Sequence, residues 1–317
     1  MPETIGVDLG GTQMRVGVVD SDQQVLYTSS APSAGLPQDE LLSTLESELR
    51  EALEARPDAG AAGLGIPCTI DREQGLAIMA VNLELADVPI RDLMTERLGI
   101  PVAIDNDANL AMLAEHRFGA ARGTRNAAML TIGTGIGGGL ILDGRLYRGS
   151  TGAAAELGHV VIEADGPPCQ GNCPNRGCVE SLASGTAIAR EGRAAAERSP
   201  DSALGRALAG GEPVDGTLVT GAALAGDETA REVVALAGRR IGVALSSIAN
   251  ALEPDVFVIG GGVISAGEFL VGPARSELQA RALSPMNEIR VAAAELGPEA
   301  GMIGAATMAA LELEVVG

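Results

Sequence analysis

One histidine and three cysteines fall within a short span of this chain: His159, Cys169, Cys173 and Cys178. Imidazole and thiolate donors in such a set suit a closed tetrahedral Zn²⁺ site. Three of the chain's four cysteines lie here, and without a secretory signal that clustering favours a metal over disulfides. Pro167, Pro168, Gly171, Pro174 and Gly177 mark the intervening chain as loop, which a metal could pin, so the expected zinc is structural. The competing reading is a chance cluster of small buried residues. Glu156 stands three residues before His159, and a helical turn would point both the same way. His159 can give one ring nitrogen to a metal and offer the other to a hydroxyl. Glu180, two residues past Cys178, would be held close by the same metal.

A second group is Asp105-Asn106-Asp107, at the end of an apolar run and the start of a helical pattern. Phosphoryl transfer to a hydroxyl needs a base within hydrogen-bond reach of that hydroxyl, and a carboxylate suffices. Helix capping is an equally ordinary use of Asp, and position alone does not separate the two. A third group is glycine-rich. Gly10-Gly11-Thr12 and Gly133-Thr134-Gly135 are tight turns whose backbone amides could cradle phosphate oxygens. Asp8 beside the first turn could hold Mg²⁺, directly or through water. Gly133, Gly135 and Gly138 fit G-x-G-x-x-G, yet the dinucleotide fingerprint must open a helix. Here the turn runs into Leu140-Ile141-Leu142. A Walker-type loop is excluded, because the chain contains no Lys.

These groups need elements to position them. Ile5–Leu9 and Met14–Val19 read as two strands joined by the first glycine turn, a hairpin. Ala128–Ile132 and Leu140–Leu142 repeat that pattern around the second turn. Residues 38–55 carry leucines at a helical period. Gly63–Ile66 and Val102–Ile104 read as buried strands, and 107–117, 185–198, 228–252 and 301–313 as helices. Val256–Ile259 is a strand ending in Gly260-Gly261-Gly262. No low-complexity linker divides the halves, so the junction is expected as a hinge at about 112–120.

With 317 residues, 46% of them hydrophobic and 20% charged, the chain can build two ordinary domains. Aromatics supply only 2%, so Ala, Val, Leu and Ile must fill the core. The net charge of −20 offers no basic stripe for nucleic acid. No apolar run reaches the roughly 20 residues of a membrane helix, and the N-terminus lacks signal-peptide character. A cytoplasmic protein with no membrane or nucleic-acid partner is expected.

The segments D-L-G-G-T at 8–12, G-T-G-I-G-G-G at 133–139 and V-I-G-G-G-V at 258–263 resemble the phosphate and adenosine motifs of the actin-like ATPase fold. That resemblance implies an α/β fold of two duplicated, ribonuclease H-like domains with an interdomain cleft. The expected division is 1–115, with a C-terminal helix at 303–317 returning to it, and 116–302, carrying the zinc loop and adenosine site. The combination looks most like the ROK (repressor, open reading frame, kinase) family of bacterial sugar kinases and regulators. The resemblance implies that Asn106 and Asp107 bind the sugar, with Asp107 as base. Glu156, His159 and Glu180 would contact sugar hydroxyls. His159, Cys169, Cys173 and Cys178 would bind zinc. Gly65–Asp71 resembles the family's G-x-P-G-x-V-D stretch, and Asn82 its sugar-side Asn. ATP would sit against Asp8, Gly10, Gly11, Thr12, Gly133, Thr134, Gly135 and Gly260 to Gly262, with Mg²⁺.

Four positions depart from the family pattern. Gln13 stands where Lys is common, the first cysteines are spaced C-x3-C, Cys68 stands where Gly is frequent, and so does Ala155. None removes a catalytic group. The implied activity is ATP-dependent phosphorylation of a hexose, glucose at the 6-hydroxyl being favoured. Alternatives are mannose, fructose or an N-acetylhexosamine as substrate, polyphosphate as donor, or a non-catalytic sugar-sensing regulator. Asp8 is expected to lie too near the start for a regulator's DNA-binding extension. The family expectation for assembly is a homodimer or higher homo-oligomer.

Overall fold

Near-continuous apolar strands alternate with helical segments, a pattern that demands helices on sheet faces. The computed structural model describes residues 3–80 and 83–316, and the expected sugar-side Asn82 lies outside them. The chain forms two compact units. The first takes the chain through Gly119, the segment Arg145–Ala155, and the chain from Pro298; the second takes Ala120–Gly144 and Glu156–Gly297. The expected division at 115/116 places Arg145–Ala155 in the second domain, whereas this segment groups with the first.

In the first unit, β1 (Thr4–Leu9), β2 (Gln13–Val19) and β3 (Val25–Pro32) precede α1 (Gln38–Ala55). β4 (Ala61–Ile66), β5 (Cys68–Asp71), β6 (Leu76–Ala80), β7 (Ala86–Val88), α2 (Ile90–Leu98), β8 (Val102–Asn106) and α3 (Asp107–Phe118) follow. The main sheet has the order β3-β2-β1-β4-β8, and β5-β6-β7 forms a small separate sheet. β1 is antiparallel to β2 and parallel to β4, and β4 is parallel to β8. The register aligns Asp8 with Gly65 and Gly65 with Asp105. Asp8 and Asp107 thereby stand at the carboxyl ends of parallel strands, where open α/β sheets bind ligands.

In the second unit, β9 (Ala127–Ile132) and β10 (Ile136–Leu142) form the hairpin around the second glycine turn. The two-residue β11 (Arg145–Leu146) opens the segment that belongs to the first unit. Then come α4 (Val179–Ala183), α5 (Gly185–Arg198), α6 (Ala203–Ala209), α7 (Gly216–Leu224) and α8 (Glu228–Leu252). β12 (Val256–Gly260), α9 (Glu268–Arg281) and β13 (Arg290–Ala293) complete it, and α10 (Ala300–Val316) returns to the first unit. β9 is antiparallel to β10 and parallel to β12, and β12 is parallel to β13. An antiparallel hairpin flanked by two parallel strands therefore occurs in both units, which accounts for the repeat in the sequence.

Local chemistry explains the helices. α1 buries Leu41, Leu42, Leu45, Leu49 and Ala52 and carries Asp39 and Glu40 in its first turn, suited to its positive end. α10 is built of Ala, Gly and Met because it lies at backbone distance from the sheet. A Cβ on Gly6 would strike the carbonyl of Met302, and one on Gly63 the carbonyl of Ala305. Small residues on both sides take the place of aromatic bulk; Phe257 is the largest fully buried side chain. α3 runs unbroken to Phe118, so the chain leaves the first unit at Gly119 and not inside the helix.

Candidate active site and metal centre

Three neighbouring polar residues span the end of β8 and the start of α3, and each does a different job. Asn106 is the N-cap of α3, its Oδ1 accepting the N–H groups of Ala108 at 3.0 Å and Asn109 at 3.3 Å. Asp105 is buried and accepts from Arg148 Nε at 2.5 Å. Asp107, by contrast, forms no ion pair among the described residues. Burial pushes its carboxyl above the ordinary value, while backbone N–H groups in the first turn of α3 pull the other way. The residue keeps some accessible surface.

Asp8 faces the same region. Burial first, then the nearby charge of Asp107, raises its carboxyl to about 6, with Arg15 partly offsetting. Two desolvated acids within electrostatic reach form a place that a cation stabilises. The turn after Asp8 is held by Ser33, whose Oγ donates to Gly10 O at 2.6 Å and whose N–H donates to Thr12 O at 3.1 Å. Ser33 carried no motif that would have marked it. Gln13 donates from Nε2 to Ser30 Oγ at 3.1 Å on the neighbouring strand.

In the second unit, Gly133-Thr134-Gly135 is tied to the start of α5. Gly185 N donates to Gly133 O at 2.8 Å and Thr186 Oγ1 to Thr134 O at 2.8 Å. Ser184 caps that helix. Gly260 ends β12 and Gly261 takes φ 85°, with its Cα side packed so closely that a side chain would meet Ile132 backbone. Parallel strands β9 and β12 thus end at both glycine segments.

His159, Cys169, Cys173 and Cys178 bring one donor atom each to within 4.8 Å of one another. His159 Nδ1 lies 3.4 Å from Cys169 Sγ, and Cys173 Sγ lies 3.9 Å from Cys178 Sγ. Tetrahedral zinc with ordinary Zn–N and Zn–S bonds has donor–donor edges of about 3.5–3.8 Å, so the set fits that ion. Nδ1 faces the sulfurs, which leaves Nε2 for a second partner. Gly177 makes the loop possible: its φ is 63°, its N–H donates to Pro167 O at 2.8 Å, and a Cβ there would strike Glu163 O.

Glu156 precedes a short 3₁₀ turn, Leu157–His159, and accepts the His159 N–H on its carbonyl at 3.0 Å. Ala155 before it has φ 69°, a conformation that explains why glycine suits that position. Glu180 is buried; its Oε2 accepts Ile136 N at 2.8 Å and its Oε1 lies 3.6 Å from Cys169 Sγ. One carboxylate therefore links the glycine turn to the metal loop, a role its spacing from Cys178 did not reveal.

Comparison with known proteins agrees with this geometry. A profile described as the ROK family matches residues 4–312. The glucokinase of Streptomyces coelicolor is 35% identical over 312 residues, covering 96% of this chain and 97% of that protein. The glucokinase of Thermotoga maritima is 35% identical over 307 residues, covering 96% of each. A crystal structure of a ROK family glucokinase from Streptomyces griseus in complex with glucose and AMPPNP superposes with a TM-score of 0.87 at 33% identity, covering 98% of this chain and 99% of that one.

Two outcomes follow from the geometry. Elemental analysis of purified protein should find about one zinc per chain, and Cys173→Ser should lose most of it; metal-free wild-type protein with full activity would refute the centre. Asp8→Asn should raise the melting temperature of ligand-free protein at neutral pH. Because folding raises this carboxyl from 3.8 to about 6, its protonated form favours the fold. That contribution is complete below pH 3.8 and is lost as pH rises through about 6. The advantage of Asn should therefore be full above pH 6 and vanish below pH 3.8, measured by thermal unfolding across that range.

Proposed function

The chain belongs to the ROK family, and from that premise we propose that it phosphorylates glucose at the 6-hydroxyl with ATP as donor. The family's duplicated, actin-like α/β fold suits the repeated sheet topology. The observation that carries the reading is the division of labour at the start of α3. Asn106 caps, Asp105 is ion-paired, and Asp107 keeps a carboxylate without an ion-pair partner among the described residues, raised by burial. A carboxylate whose pKa is raised is the stronger proton acceptor.

In the proposed reaction Asp107 accepts the 6-hydroxyl proton as the sugar oxygen bonds to the γ-phosphorus. The bond between that phosphorus and the β–γ bridging oxygen breaks, and ADP leaves with its electron pair. Asn106 uses Oδ1 in its cap, so its Nδ2 is the group left for a sugar oxygen. Glu156, His159 Nε2 and the remaining lone pairs of Glu180 serve the other hydroxyls, and Asn82 is assigned to the same task from the sequence. Asp8 would hold Mg²⁺, which supplies charge neutralisation for the transferring phosphoryl group. Backbone amides at Gly10 to Thr12 and Gly133 to Gly135 would receive phosphate oxygens, and Gly260 to Gly262 the adenosine. Zinc at His159, Cys169, Cys173 and Cys178 would fix the loop without entering the chemistry. Among the described residues no helix is long and apolar enough to cross a membrane; a cytoplasmic homodimer or higher homo-oligomer completes the reading.

A coupled assay over glucose, mannose, fructose and N-acetylhexosamines, with ATP and polyphosphate as donors, tests it. Glucose with ATP should give the highest kcat/KM. Asp107→Ala should lower kcat by about 10²–10⁴-fold or more, the span a general base supplies, with zinc content unchanged. Turnover near wild type in that variant would remove Asp107 as the base.

A further inference from the structure

Asp105 is 3% exposed, and every oxygen it has is engaged. Its Oδ1 accepts the Asn106 N–H at 2.8 Å and Asn109 Nδ2 at 3.0 Å. Its Oδ2 accepts Arg148 Nε at 2.5 Å and lies 3.6 Å from an Arg72 guanidinium nitrogen. Neither arginine lies near Asp105 in sequence; Arg148 is 43 residues away. Arg72 also pairs with Glu312 on α10, and Arg91 Nη1 donates to the Arg72 carbonyl at 3.1 Å. Arg72 and Arg148 with Asp105 and Glu312 thus form a cluster of ion pairs that joins the β5–β6 turn, the end of β8, α10 and the segment Arg145–Ala155, all parts of the first unit.

Two details give this cluster a direction. Asn109 donates to Asp105 although its own Oδ1, buried, is left without a hydrogen-bond partner. The carboxylate therefore dictates the amide's orientation one turn into α3, at a cost of the kind that buried unpaired acceptors carry. On the other side, Arg148 begins a closed loop: Ala154 N donates to Arg148 O at 3.1 Å, and the chain passes through Ala155 directly to Glu156. Asp105 brackets Asp107 by holding residues 106 and 109, and Arg148 anchors the stretch that leads to Glu156.

We propose that the Arg148–Asp105–Arg72 cluster is the positioning device of the phosphotransfer site, with Asp105 and Arg148 setting the orientation of the base-bearing turn. This rests on the assignment of Asp107 as the base. Asp105 is a positioning residue and takes no proton from the sugar. A base displaced by about 1 Å can cost 10²-fold in rate, so loosening the turn should appear in kcat more than in the KM for glucose.

The test uses the full-length, zinc-loaded enzyme and four variants, Asp105→Asn, Arg148→Gln, the double variant and Arg148→Lys. Each is measured for melting temperature, zinc content, kcat, KM and the pH dependence of kcat. Each single neutral variant should lower kcat per folded molecule by about 10-fold or more and move the acid limb of kcat. The double variant should lose little beyond the worse single one, because both act through one contact. Arg148→Lys, which keeps a charge beside the buried acid, should recover part of the loss and decides the question if Asp105→Asn does not fold. Folded variants with lower melting temperatures but wild-type kcat and an unmoved acid limb would overturn the proposal, leaving the cluster merely structural. Asp107→Ala in the same assay separates the two claims: if it stayed active, the base assignment itself would fall.

Discussion

Asp8 and Asp107 sit at carboxyl ends of parallel strands in one sheet, where burial raises the cost of ionising either, and the charge of Asp107 bears on Asp8 as well. Gly65 is the register partner of Asp8 and of Asp105, and a Cβ on it would come within 3.6 Å of the Asp107 Cα. A fold spends stability to keep two such acids together. Much of the first unit can be understood as supplying that stability. α10 lies against β1 and β4 at backbone distance through Gly6 and Gly63, and α1 covers the sheet with a leucine stripe. The same strain suits the proposed chemistry, in which one carboxylate accepts a proton and the other holds a cation.

The second unit solves a different problem. Its metal loop has few apolar side chains of its own, and its backbone pairs in isolated bridges such as Val161 with Cys178 and Pro168 with Arg176. Four soft and borderline donors gathered by a left-handed Gly177 can hold such a loop where a hydrophobic core does not. Glu180 then carries the loop's position to the glycine turn through Ile136 N, so the polar residues proposed for the sugar are referenced to the backbone proposed for phosphate in their own unit.

Much of this was legible in the sequence. The leucine period of α1 returned bounds of 38–55, because an amphipathic period survives any tertiary context. The duplicated hairpin was visible because glycine turns punctuate it, and the metal donors because thiols and imidazoles are rare in this chain. What stayed hidden depends on contacts distant in sequence. Arg72 and Arg148 look like any surface arginines until the fold brings them to Asp105. The strands of β5-β6-β7 are too short, and α6 and α7 too rich in Ala and Gly, to show a clear period. Between two acids flanking Asn106, sequence position could not tell the cap from the base; the structure gave the cap to Asn106. The family's preference for glycine at position 155 acquired a reason only with the positive φ of Ala155.

The most direct measurement is the pH dependence of kcat/KM for glucose phosphorylation at saturating Mg²⁺ and ATP. A base must be ionised to act, so activity should fall as pH drops through the raised value of Asp107, giving an acid limb above the ordinary 3.8 of an aspartate. A profile that stays flat down to the ordinary aspartate range would contradict the account, because the acting base would then not be a carboxylate that burial has raised.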